Sequence, residues 1–191
     1  MRFSFLSHPS PAAARRAFLG RSATLLSGSA IALLAGDRAL AKSAAGAPAS
    51  DARILNAALG AEHQAVAAYQ VGAESGLLQA PVLALAKQFQ GHHKAHADLL
   101  AGVVKQLGGK PAEPKTRYDF PVDTLKAQAD VLRFAAGLER GAVSAYVGAV
   151  PLFGDRQLAR AAATILSDEA MHWAVLRHAL GEDPVPAAFF G

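Results

Sequence analysis

Residues 62–69 read EHQAVAAY and residues 139–146 read ERGAVSAY, so one short pattern occurs twice. Both copies place Glu, Ala-Val and Tyr at the same spacing, 77 positions apart. The first copy is followed by HKAH at 93–96 and the second by EAMH at 169–172, and His96 and His172 are 76 positions apart. The two stretches therefore indicate one duplicated helical hairpin with a single-residue slip.

Four amphipathic helices surround these patterns. In each of them the apolar positions recur in alternating steps of three and four, which is the spacing of a packed helix face. Ser50 or Asp51 is the expected N-cap of the first helix, and Pro81 is expected in the first turn of the second. No segment shows the sustained alternation of a strand. The predicted helices span about residues 50–74, 81–108, 124–150 and 155–181.

The connections between the helices predict how they are arranged. The first and last pairs have short links marked by Gly and Pro, so each pair should form an antiparallel hairpin. Residues 108–122 form a longer, proline-containing connection of fifteen residues, which can stretch to about 50 Å. A helix of about 25 residues is about 37 Å long. The sequence therefore predicts an all-α, antiparallel four-helix bundle over residues 51–181, with two hairpins joined by a long crossover.

The first 41 residues have the features of an export signal. Arg15-Arg16 precede a mildly apolar run at residues 22–36, and Ala39 to Ala41 offer a small-x-small cleavage pattern. The apolar run is shorter than the roughly 20 residues that span a bilayer, which argues against a membrane anchor. This leader resembles a twin-arginine signal peptide. It predicts export by the twin-arginine machinery, cleavage after Ala41, a periplasmic or otherwise exported product without a membrane span, and a flexible linker at residues 42–50.

Charge and cysteine content exclude several functions. The formal net charge is +4, but the leader alone contains five Arg and one Asp, which leaves fourteen residues of each sign in the body. A neutral body gives no reason to expect nucleic-acid binding. The chain has no cysteine, so disulfides, thiolate metal sites and cysteine nucleophiles are excluded. Any transition-metal site must use His, Asp, Glu or water.

Six ionisable residues fall on the apolar faces of the helices. Residues three apart on a helix share one face, so several of these side chains can converge. Burying a carboxylate costs several kcal/mol unless it is paired or neutralised, and one or two divalent metal ions would offset this cost. Carboxylate and imidazole ligands suit iron or manganese, and imidazole also suits zinc or copper. The candidate metal ligands are Glu62, His93, His96, Glu139, Glu169 and His172.

This set resembles the ferritin-like superfamily, which places one Glu on each of two helices and Glu-x-x-His on each of the other two, around a di-iron or di-manganese centre. Glu62 and Glu139 match the lone Glu positions, and Glu169-x-x-His172 matches the full motif. The run at residues 118–121, Tyr-Asp-Phe-Pro, is similar to an uncharacterised bacterial family of ferritin-like domains. The resemblance covers about residues 51–181 and implies oxidase or peroxide-related chemistry at a metal centre.

The second helix departs from the family pattern. His96 matches the family His, but His93 stands where the family has Glu. The chain thus supplies three carboxylates instead of four, which leaves open whether the centre holds two metals, one or none. His92 and His63, beside the helix faces, are candidates for additional or supporting ligands. The tyrosines of the repeat, Tyr69 and Tyr146, are expected to bond buried carboxylates through their hydroxyls.

Two functions of different classes remain at this point. The first is an exported ferritin-like protein that binds one or two transition-metal ions in the bundle core. The second is a metal-free, degenerate bundle that acts as a structural or interaction module. The apolar C-terminal tail, residues 182–191, is expected to cover an end of the bundle or to contact a second copy in a homodimer.

Overall fold

The computed structural model describes residues 48–190, so the predicted leader and its cleavage site lie outside the described residues. Within this range the chain is helical, without strands, and none of its helices combines the length and apolar character needed to cross a membrane. Two single 3₁₀ turns, Val122–Thr124 and Val150–Leu152, interrupt the connections. The main helices are α1 (Pro48–Glu74), α2 (Ala80–Gln106), α3 (Gln128–Ala149) and α4 (Arg156–Ala179).

Helix α1 begins at Pro48, before the N-cap that the sequence predicts, so residues 48–50 belong to the helix and not to the linker. Asp51 is therefore not an N-cap. Its buried carboxylate accepts backbone N–H bonds from Gly154 and Asp155, both at 2.9 Å. Through these hydrogen bonds, Asp51 connects the start of α1 to the turn between α3 and α4.

The other helix ends follow local chemistry. Pro81 lies in the first turn of α2, as predicted. Helix α3 begins at Gln128, later than predicted, where Asp130 accepts the N–H groups of Lys126 and Ala127 at 3.1 and 3.0 Å. At the start of α4, Asp155 is the N-cap and its side chain accepts the Gln157 N–H at 2.6 Å.

Contacts at the two ends of the bundle establish its topology. Helix α1 packs mainly along α2, and α3 along α4. The Gln79 N–H donates to the Gln128 side chain at 2.8 Å, so α2 and α3 start at the same end and run in the same direction. Asn56 holds the crossover through Lys110 and Ala112, with two hydrogen bonds of 2.7 Å. The predicted pair of hairpins with a long crossover is confirmed.

The core consists of two apolar clusters with a polar layer between them. Along each helix, a buried ionisable residue falls between members of the two clusters. The polar layer is thus closed above and below by mainly apolar side chains, and in each cluster one tyrosine also bonds a carboxylate of the layer. One cluster contains Leu55, Leu59, Leu100, Val104, Tyr146 and Ile165, and the other contains Tyr69, Phe89, Leu132, Ala135, Ala136 and Leu176.

The C-terminal tail lies against the flank of α4 and contains no helix in its described part, residues 182–190. Phe190 packs edge-on against Trp173, with ring centroids 5.5 Å apart. Phe189 is 90% exposed, so the tail leaves apolar surface uncovered. The tail covers a side of the bundle where the sequence predicts an end, and the homodimer stays a prediction.

Candidate metal centre

The six predicted ligands lie together in the polar layer. One comes from α1, two from α2, one from α3 and two from α4. Five of them are almost inaccessible to solvent, and the sixth, His96, has a side chain that is 14% exposed. Since four helix faces meet at one depth, the three-and-four spacing of the sequence brings all six residues to a common centre.

His93 occupies the middle of this group. Its Nδ1 lies 2.9 Å from Glu62 Oε2, and its Nε2 lies 3.2 Å from Glu139 Oε1. Glu169 Oε1 is 3.6 Å from Nδ1. The imidazole therefore bridges carboxylates from α1 and α3, at the position where the family pattern has a carboxylate of its own.

The two repeated tyrosines bond carboxylates of the opposite hairpin. Tyr69 on α1 donates its hydroxyl to Glu139 on α3, and Tyr146 on α3 donates to Glu62 on α1 at 2.7 Å. Burial raises the pKa of both tyrosines well above the usual value, and the neighbouring carboxylates raise it further. Both hydroxyls therefore remain protonated donors, which confirms the role predicted from the repeat.

The imidazoles of the layer hold protons strongly when no metal competes for them. Burial by itself lowers the pKa of His93, but hydrogen bonds to Glu139 and Glu62 outweigh burial and raise the pKa to about 11. Burial also lowers the pKa of His96 and of His172, but the nearby carboxylates, chiefly Glu169 for His96 and Glu139 for His172, outweigh burial and raise both pKa values to about 9. Burial pushes the pKa of Glu139 upward, yet His172 and His93 bring it below its ordinary value. Protonated imidazoles thus offset carboxylate charge in this layer.

Four buried atoms in the layer have no hydrogen-bond partner: both carboxylate oxygens of Glu169, His96 Nδ1 and His172 Nδ1. His96 Nδ1 lies 3.1 Å from Glu169 Oε1, and His172 Nδ1 lies 3.5 Å from Oε2, without hydrogen-bond geometry. Buried polar atoms are rarely left without a partner in folded proteins. A cation between these atoms would supply one.

Two sets of four residues have the composition and spacing of a metal site. Within each set, one ligand atom from every residue lies within 4.8 Å of the others. Both sets contain His93 and Glu169. A neutral imidazole has one lone pair available for a metal, so filling both sets through His93 would require the ring to lose both protons. The sets are Glu62, His93, His96 and Glu169, and His93, Glu139, Glu169 and His172.

His92 and His63, the two candidates for additional or supporting ligands, lie in different surroundings. His92 Nδ1 lies 2.8 Å from His172 Nε2, at the edge of the centre. His63 instead pairs with the Ala112 carbonyl of the crossover at 3.1 Å and lies outside the centre.

Asp168 is a residue of the centre that the sequence prediction missed. Its Oδ2 lies 3.3 Å from both His96 Nε2 and His172 Nε2. The signal for it was its position four residues before His172, which places both side chains on one helix face.

Comparison with known proteins agrees with this fold. A family model described as a ferritin-like domain matches residues 50–182. Among solved structures, the crystal structure of a conserved hypothetical protein from Mycobacterium tuberculosis is similar, with a TM-score of 0.64 and 23% sequence identity. The match covers 75% of this chain and 99% of the other. At this identity the similarity supports the fold alone. No curated protein matches the chain.

Proposed function

Because the chain belongs to the ferritin-like domain family, we propose that it is an exported protein whose bundle core binds one or two transition-metal ions, preferentially iron or manganese. The observation that carries this proposal is Glu169, a fully buried carboxylate with neither oxygen hydrogen-bonded. Such a group is costly to bury unless a cation faces it. Without metal, the protonated imidazoles of His96 and His172 take that place at 3.1 and 3.5 Å but without hydrogen-bond geometry, and a metal ion held by these rings and Glu169 would take it instead. The export part rests on the leader, with Arg15-Arg16 and the cleavage pattern ending at Ala41.

The donor set fits a metal ion. Three carboxylates and three imidazoles, without thiolates, suit iron or manganese, while zinc and copper suit the imidazoles alone. One ion can be held by either set of four residues, and the shared His93 makes one ion per chain the simplest occupancy at neutral pH. Two ions would use Glu169 between the sets. When bound, such ions supply Lewis acidity and electron transfer towards dioxygen or peroxide.

The surroundings of the centre favour small reactants. A cavity of about 20 Å³ lies beside Tyr69, whose hydroxyl bonds Glu139, and is lined by apolar side chains such as Leu132 and Leu176. This volume has room for about one water molecule, so it suits dioxygen or hydrogen peroxide better than an organic substrate. We therefore favour oxidase or peroxide-related activity as the chemistry of a loaded centre.

Metal analysis of the exported protein, purified from its native host, tests the proposal. We expect about one equivalent of iron or manganese per chain, as for a site built from one four-residue set. The Glu62→Ala/Glu139→Ala variant should lose this metal. The Glu74→Ala/Asp98→Ala variant, which removes two exposed carboxylates instead, should retain it. Equal metal content in the wild type and the Glu62/Glu139 variant would overturn the proposal.

One observation favours the alternative, a metal-free bundle that acts as a structural or interaction module. His93 already uses both ring nitrogens to pair Glu62 and Glu139, so a proton can replace a metal at the middle of the layer. Thermal unfolding with and without a chelator separates the two functions. An unchanged melting temperature in protein shown to contain metal before chelation would support the alternative.

A further inference from the structure

Three side-chain groups form the solvent-facing edge of the buried layer, between α2 and α4. The side chains of His92 and Asp168 are 38% and 25% exposed, while that of His172 is 2% exposed. On this side, the buried layer therefore contacts side chains that are partly exposed to solvent. His172 is the member of the group that reaches both the edge and the interior.

The donor atoms at this edge converge. Asp168 Oδ2 lies 3.2 Å from His92 Nδ1 and 3.3 Å from His172 Nε2, and the two nitrogens are 2.8 Å apart. Phe89 stacks on the His172 ring with centroids 4.0 Å apart and an angle of 24° between the planes. This stacking restrains the orientation of the imidazole. One carboxylate oxygen and two imidazole nitrogens therefore face a common point.

We propose that His92, Asp168 and His172 form an outer site, which takes a divalent transition-metal ion from solvent and passes it to the buried centre. The inference rests on the proposed metal-binding function. Two imidazoles and one carboxylate are a ligand set that suits first-row transition metals and leaves coordination positions open for water. Because His92 is partly exposed, an ion can reach the outer site from solvent while the ion is still losing water from its hydration shell.

The two faces of His172 explain why the outer site would be transient. Nε2 faces Asp168 at the edge, whereas Nδ1 faces Glu139 Oε1 and Glu169 Oε2, each at 3.5 Å. A neutral imidazole offers one lone pair at a time. His172 can hold an ion at the edge or in the interior, but the same tautomer cannot do both. An ion that moves inward thereby weakens the outer site behind it.

Asp168 has a second role once the inner ion is in place. Its Oδ2 lies within 3.3 Å of Nε2 on both His96 and His172, where it can accept their N–H groups. A carboxylate behind a ligand imidazole orients the ring and strengthens its donor nitrogen. His92 has no such contact with the inner ligand set apart from His172 Nε2. The His92→Ala variant therefore separates delivery of the ion from its final binding.

The test is stopped-flow loading of the metal-free full chain with Co²⁺, followed by visible absorbance, together with equilibrium titration. We expect His92→Ala to load about tenfold more slowly, the lower end of the loss typical for groups around a metal site, with an unchanged final amplitude. His178→Ala, which removes an exposed histidine of α4, should load like the wild type. Asp168→Ala should lose both rate and affinity.

The outcomes distinguish this inference from the function on which it rests. Wild-type loading kinetics in His92→Ala, with Co²⁺ still bound at equilibrium, would overturn the outer site and leave the buried centre intact. A reduced final amplitude in His92→Ala would place His92 among the permanent ligands and would also overturn a transient site. Failure of the wild type to bind Co²⁺ at all would overturn both proposals.

Discussion

Replacing His93 with Glu restores the carboxylate that the ferritin-like pattern has at this position, and it tests how the layer is balanced without metal. In the metal-free chain, the His93 imidazole bonds Glu62 at 2.9 Å and Glu139 at 3.2 Å. A carboxylate cannot donate to either of these oxygens when it is ionised. The variant would replace the central cation with a fourth buried acid.

The expected loss of stability follows from the two hydrogen bonds that the His93 imidazole makes and the variant lacks. Hydrogen bonds to charged groups contribute about 1.5–3 kcal/mol each, so the metal-free His93→Glu variant should lose about 3–6 kcal/mol of unfolding free energy. Repulsion among four acids would add to this loss unless one of them takes up a proton. Since domains are stable by only about 5–15 kcal/mol, the variant should be marginal in chelator. Mn²⁺ should restore much of its stability, because four carboxylates match two divalent charges.

Urea denaturation of the wild type, His93→Glu and His93→Gln, each in chelator and in excess Mn²⁺, measures these differences. The Gln variant keeps a neutral donor and adds no charge, so its stability in chelator should fall between the other two. The gain on adding Mn²⁺ should be largest for His93→Glu. If His93→Glu in chelator is within about 1 kcal/mol of the wild type, an ordinary effect for a point substitution, His93 does not hold the metal-free layer together.

Four further results are expected. Chelator should lower the melting temperature of metal-loaded protein by roughly 5–10 °C, from about 2.7 kcal/mol of binding at 100 times Kd; scanning calorimetry measures this, and an unchanged value contradicts it. In chelator, unfolding free energy should fall as pH rises from 7 to 9, by about 1.4 kcal/mol per pH unit for each imidazole still protonated only in the folded state. The pKa values in the folded protein, about 11 for His93 and about 9 for His96 and His172, exceed the ordinary value of 6.5. The stabilisation from these protonated imidazoles is therefore complete below pH 6.5 and is lost as the pH rises through the folded pKa values. A flat profile of unfolding free energy against pH would refute this prediction. Tyr69→Phe should cost the metal-free protein about 1–3 kcal/mol by removing the donor to buried Glu139, and no loss in urea denaturation would contradict this. Asp51→Ala should cost about 1–3 kcal/mol because two backbone N–H groups lose their acceptor, and denaturation at wild-type urea concentrations would count against that role.

The sequence predicts the convergence of the centre because that convergence depends on local spacing. Steps of three and four place Glu62 and Tyr69 on one face of α1, and the repeat requires the same of Glu139 and Tyr146 on α3. The length of the crossover then limits the topology to the one observed. Packing clusters on both sides of the layer follow from the apolar residues of the same faces.

Other features depend on contacts between segments distant in the chain, and local patterns do not specify them. Asp51 resembles an N-cap in sequence, yet its oxygens bond residues more than one hundred positions away. His63 and His92 both flank a helix face, and only the path of the crossover directs His63 to Ala112. Asp168 precedes the recognised motif, and its role emerges only when α2 and α4 are packed together.

The crossed tyrosine bonds have a consequence for the origin of the fold. Tyr69 meets Glu139 as Tyr146 meets Glu62, which is the reciprocal pattern of an isologous interface between two identical subunits. A single polypeptide here reproduces the contacts of a twofold dimer of hairpins. Each half carries a tyrosine whose acceptor is in the other half, so a chain cut within the crossover would yield two pieces that must associate to recover their buried bonds. The halves differ within the polar layer itself, where α2 has His93 at the position that corresponds to Glu169 of α4, so the twofold pattern is broken at the centre of the bundle.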